Sequence, residues 1–162
     1  MRGCSNLLLK DDGLHHEPTS REEIASLLRL VERDLAQADI RSLYPDGRFA
    51  FAYNAALQLA TVFLRLQQIR IGAQSHHART FRELKRLLPP EQRRFALDFE
   101  RARRKRNTLM YEQAGAISNR EVQELIAEVK EFHGWLLREI STRFKEFSPD
   151  GVEGGRSDEK PS

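Results

Sequence analysis

The chain has 162 residues, 40% of them hydrophobic, and a formal net charge of +3, which is enough for one domain with a real core and too little for two. Its sole cysteine, Cys4, excludes an intrachain disulfide and a thiolate metal cluster, and no apolar run approaches the ~20 residues that span a bilayer. Charge is unevenly spread: residues 65–106 carry 13 Lys/Arg against 4 Asp/Glu, a local +9 that leaves −6 for the remainder. Such a basic middle fits a polyanionic partner such as nucleic acid, or solvated helix faces paired with glutamates.

Residues 1–17 lack periodicity and are expected to be a flexible tail. Their apolar stretch, Leu7–Leu9, stops at two aspartates and is too short for a signal peptide, so a cytoplasmic location is expected, without a membrane partner. A first helix opens at a capping box, Ser20 with Glu23, and carries Ile24, Leu27, Leu28, Val31 and Leu35 at helical spacing. YPDG (44–47) reads as a turn. The next helix presents Phe49, Ala52, Tyr53, Ala56, Leu59, Ala60, Phe63 and Leu66, ending near Gly72, with Asn54 a polar insertion suited to a core hydrogen bond.

GAQSHH forms a short loop before a brief third helix, which buries Phe81, Leu84, Leu87 and Leu88 and stops at Pro89–Pro90. Pro90 suits the first turn of a fourth helix, where a missing N–H costs nothing. That helix ends near Gly115. A second capping box, Ser118 with Glu121, opens a last helix with Val122, Leu125, Ile126, Val129, Phe132, Leu136, Ile140 and Phe144 on its apolar side, and His133 beside them as an interior histidine. No strand pattern is visible, and residues 148–162 (SPDGVEGGRSDEKPS) have the composition of disorder. The expected architecture is all-α: an antiparallel four-helix up-and-down bundle plus one short helix, occupying residues 18–147.

The fourth helix contains RRKRNTLMYE (103–112). Phe95, Phe99, Ala102, Leu109 and Met110 share one face, and Arg106 falls in the middle of it. A guanidinium keeps its charge, and leaving it unpaired in a core costs several kcal/mol. Arg106 therefore pairs with a carboxylate, Glu100 or an acid from another helix, or it faces a cleft or a second subunit. Arg94, Arg101, Arg104 and Lys105 lie on the opposite, wet side. No phosphate-cradling glycine loop, Glu-x-x-His or nucleophile beside a base occurs, so no cofactor, no metal and no metabolic reaction are expected.

The stretches RFAFAYNAALQLATVFLRLQQIRIG, SHHARTFRELKRLL and RRKRNTLMYE, together with the order of elements over residues 20–147, resemble the HEPN superfamily (higher eukaryotes and prokaryotes nucleotide-binding). That family's motif is an arginine, a polar residue, and a histidine five residues after the arginine. Arg106 and Asn107 match it; Tyr111 stands at the histidine position. The resemblance implies a homodimer whose two motifs meet across the interface and cut RNA without a metal. Arg106 would hold phosphate, Asn107 would position it, and Tyr111 would donate a hydrogen bond or stack. Arg103 and Arg104 would attract the RNA backbone.

Tyrosine, with an ordinary pKa of ~10, is a weak base at neutral pH. His76 and His77 are the candidates for an auxiliary role, and the other reading of them is a helix cap or plain exposure. The resemblance thus leaves two functions open. One is a ribonuclease of the toxin or defence type, restrained by a partner in a toxin–antitoxin arrangement. The other is a non-catalytic module that dimerises or docks onto a partner such as a small nucleotidyltransferase.

Overall fold

A computed structural model describes residues 13–111 and 115–148, with backbone alone for 109–111. The expected all-α class holds: five helices carry the fold. Helix α1 (Arg21–Ala38) starts where Ser20 Oγ accepts a hydrogen bond from Glu23 N at 3.1 Å. The capping box is only half made, because the Glu23 carboxylate turns to other donors. It accepts from Thr19 Oγ1 at 2.8 Å, from Arg65 Nε at 2.6 Å and from Arg70 Nη2 at 2.8 Å. Ile24, Leu28, Val31 and Leu35 are buried along α1 as their spacing requires.

YPDG is not a separate turn. Pro45 is the first residue of α2 (Pro45–Leu66), where its missing N–H is one the helix would not have used. All eight apolar positions expected on α2 are enclosed, and so are Ala55, Leu57, Val62 and Leu64, so this helix is buried nearly all round. Its alanines at 52, 55, 56 and 60 let neighbours approach closely. Among the described residues α2 is long and apolar enough to cross a membrane, yet 72% of that window is buried within the fold. The packing of the other helices around it accounts for the composition.

Two strands contradict the expectation of none. Strand β1 (Leu14–His16) pairs antiparallel with β2 (Ile69–Ile71), Leu14 opposite Ile71 and His16 opposite Ile69. Residues 14–17, assigned to the tail from sequence, are therefore part of the fold. What fixes them is Arg65, only 2% exposed, which donates to the carbonyls of Glu17 (3.0 Å) and Pro18 (2.7 Å) as well as to Glu23.

Helix α3 (His76–Leu87) buries Phe81 and Leu84, with Leu88 enclosed just beyond its end and Leu87 half-buried. Pro90 opens a separate 3₁₀ turn (Pro90–Gln92) that leads into α4 (Arg93–Tyr111), rather than the first turn of α4 itself. Helix α5 (Asn119–Arg143) has a complete capping box between Ser118 and Glu121 and buries the apolar set expected of it, with Phe144 partly covered.

Contacts between helix ends give their directions. Arg48 at the start of α2 donates to Ala38 O at the end of α1 (2.8 Å), while Arg65 at the end of α2 meets Glu23, so α1 and α2 are antiparallel. Arg94 meets Glu131 and Lys105 meets Glu121, which makes α4 and α5 antiparallel. Phe81, Phe95, Phe99 and Phe132 interlock with ring centroids 5.1–6.2 Å apart. This aromatic cluster joins α3, α4 and α5 and sets the rotation of α4 about its axis. Arg106, one turn beyond the buried Ala102, is thereby turned toward α2.

Candidate functional site

Arg106 is half-buried, with its Cζ 5.0 Å from the centroid of the Tyr53 ring on α2. Its Nε is enclosed, and neither a hydrogen bond from it nor an ion pair joins Arg106 to a described residue. The expected pair with Glu100 is not formed. Glu100 instead accepts from both Nε (2.9 Å) and Nη2 (2.7 Å) of Arg103, and Arg104 lies 3.4 Å away. The reason is helical register: three and four residues on from Glu100 share its flank, whereas six residues on lies roughly 120° around the helix.

Tyr53 is wholly buried, and its hydroxyl lies 2.9 Å from Nδ1 of His77, in the first turn of α3. Burial pushes the Tyr53 phenol up to about 12, against the opposing pull of the Arg106 and Arg103 charges, so it stays protonated at neutral pH. Burial also holds His77 below the ordinary histidine value, and the charges of Arg106, His76 and Arg103 act in the same direction. His76 is lowered by burial alone, its ring 5.9 Å from that of His77. The two histidines are neither caps nor merely exposed: Ser75 is the residue before the helix, and His76 and His77 are its first two members.

The structure thus brings Arg106, Arg103, Tyr53, His77 and His76 together at the junction of α2, α3 and α4. Arg103 is 22% exposed and pinned by Glu100; Arg104 is 75% exposed. Asn107 is exposed and makes no hydrogen bond to a described residue. Tyr111 is the last residue of α4, and its side chain lies outside the described residues. Three further expectations are corrected. Asn54 is half-buried with no hydrogen bond to a described residue, because α2 turns its apolar faces to the neighbours on both sides of it. Lys105 is not on the wet side: it reaches across to Glu121 of α5. His133 is not satisfied among the described residues, since its Nε2 is enclosed without a partner there, and burial lowers its pKa.

Two surface features accompany the site. Arg82, Lys85, Arg86 and Arg93 line a cationic groove of about 400 Å³ between α3 and α4, in which Glu83 balances Arg86 alone. An apolar groove of about 700 Å³ lies at the start of α2, formed by Leu43, Tyr44, Phe51 and Ile117, with Tyr44 87% exposed. Among the described residues no three His, Cys, Asp or Glu side chains gather as a metal site.

The Tyr53–His77 contact was not legible from the sequence, because helical spacing shows which face of a helix is apolar but not which residues meet across two helices. No family model matches the sequence, and no curated protein or solved structure matches it.

Proposed function

We propose that this chain is an RNA-directed helical protein, in the cytoplasm, that binds a backbone phosphate at Arg106 and cuts RNA without a metal as a homodimer. Arg106 carries the reading. A guanidinium seated on an aromatic ring, only half-buried and paired with no carboxylate among the described residues, has its charge and its Nη donors left over for an anion. Phosphate matches that fork in charge and geometry. Exposed Arg104 and the cationic groove between α3 and α4 support backbone attraction that is independent of base sequence. A toxin or defence role under the restraint of a partner, such as a nucleotidyltransferase-type antitoxin, belongs to the same reading.

The second reading, a non-catalytic module that docks onto a partner protein, is favoured by one observation: the exposed apolar groove of about 700 Å³ around Tyr44. RNA cleavage by the purified chain in EDTA separates the two. The first reading expects products ending in 2′,3′-cyclic phosphate and their loss in Arg106→Ala. A folded wild type that leaves RNA intact and unbound refutes it in favour of docking.

A further inference from the structure

We infer that His77, held by Tyr53, is the proton acceptor of this site, the role that Tyr111 at the motif's histidine position fills poorly. The inference rests on the RNA-cleaving reading and adds a catalytic residue from a different helix.

Three observations carry it. The Tyr53 hydroxyl is within hydrogen-bond distance of Nδ1 (2.9 Å), which engages one ring nitrogen and leaves Nε2 with no hydrogen bond to a described residue. The ring is only half-buried, so a substrate atom has a route to Nε2. Arg106 Cζ lies 5.0 Å from the centroid of the same tyrosine ring and the His77 ring centroid 5.8 Å from it, which gathers the phosphate-binding cation and the histidine around one buried, rigid side chain. The charged and titratable groups facing His77 are Arg106 and Arg103 from α4, Tyr53 from α2 and His76 from its own turn. Burial first, then the charges of Arg106, His76 and Arg103, hold the imidazole below the ordinary histidine value and favour its neutral form, the one that accepts a proton.

In the reacting tautomer Nδ1–H donates to the Tyr53 oxygen, and the Nε2 lone pair takes the proton of a ribose 2′-hydroxyl. The 2′-oxygen bonds to phosphorus, the bond from phosphorus to the 5′-oxygen breaks, and that oxygen takes a proton from water. The products are a 2′,3′-cyclic phosphate and a 5′-hydroxyl; the imidazolium returns its proton to solvent. Throughout, Nδ1–H keeps the Tyr53 oxygen as its acceptor, so Tyr53 is a positioning residue that orients the ring and supports the developing charge.

The test compares wild type, His77→Asn, Tyr53→Phe and Arg106→Ala for cleavage in EDTA, with binding of uncleavable 2′-O-methyl RNA measured alongside. His77→Asn is expected to lose cleavage by ~10²-fold or more while still binding RNA. Tyr53→Phe keeps the ring under Arg106 and is expected to slow cleavage and move the acid limb of the pH–rate profile to lower pH. In the wild type, followed by NMR, the His77 ring should titrate at higher pH once 2′-O-methyl RNA is bound, because a phosphate nearby favours the imidazolium. That readout needs no variant to fold.

Cleavage at the wild-type rate and pH profile in His77→Asn, with cleavage lost in Arg106→Ala, overturns the role of His77 and leaves the RNA-cleaving reading standing. An unmoved His77 titration with RNA bound also overturns it. Absence of cleavage by the wild type overturns both.

Discussion

Replacing Arg106 by methionine distinguishes a ligand-binding arginine from a structural one by the sign of the stability change. Methionine has a similar reach and nearly the same helix propensity, so α4 itself is little affected. The substitution forfeits the contact with the Tyr53 ring, worth about 0.5–1 kcal/mol at a partly exposed site. It also removes an enclosed N–H that has no acceptor, a group that costs about 1–3 kcal/mol. The net expectation is a gain of about 1 kcal/mol, or roughly 2–4 °C in Tm for a chain of this size. Urea unfolding followed by circular dichroism, with the slope checked for two-state behaviour, measures it. Were Arg106 half of a buried ion pair, the change would strand a carboxylate and destabilise by about 3–5 kcal/mol. A loss of that size would refute the reasoning; a gain paired with lost RNA binding is the signature of a residue kept for function at the expense of stability.

Glu23→Gln should destabilise by about 3 kcal/mol, the low end for breaking a buried pair, since Arg65 keeps two backbone carbonyls; urea unfolding at pH 7 checks it. The same residue gives a pH dependence. Burial alone would raise the Glu23 carboxyl, but hydrogen bonds from Arg65, Arg70 and Thr19 outweigh it and hold the group at about 2, below its ordinary value of 4.5. Its stabilisation is therefore present above pH 4.5 and lost as pH falls toward 2. The acid limb of stability should be shallower in Glu23→Gln; an unchanged limb contradicts the assignment. The homodimer reading puts the two copies of Arg106 near a two-fold axis, so Asn107→Cys in a Cys4→Ser background should form a disulfide-linked dimer on mild oxidation. Monomer alone on a non-reducing gel speaks against that arrangement.

Much of the scaffold was legible because it depends on local rules. Ser118 and Glu121 close a capping box within four residues, and the stripes of α1 and α5 follow the helical repeat whatever they pack against. The strands were missed because three residues are too few to show alternation, and their pairing joins residues 14–16 to 69–71 across the whole of α1 and α2. Glu23 was read as a capping residue and its diversion to Arg65 missed for the same reason: a sequence shows the partner three residues away but not the one forty-two away. At the site, the interruption of the α4 stripe by Arg106 could be read directly. Its neighbours could not. Tyr53 looked like one core aromatic among several, and only the packing of α3 on α2 places His77 at its hydroxyl.

The most direct measurement of whether Arg106 meets RNA is fluorescence anisotropy with a single-stranded 2′-O-methyl RNA, titrated at several salt concentrations with wild type and Arg106→Met. The account predicts wild-type affinity that falls with salt, and a variant that binds more weakly with a log–log slope smaller by about 0.7, one phosphate contact on a single strand. Equal affinity and equal slope for the two proteins would contradict it.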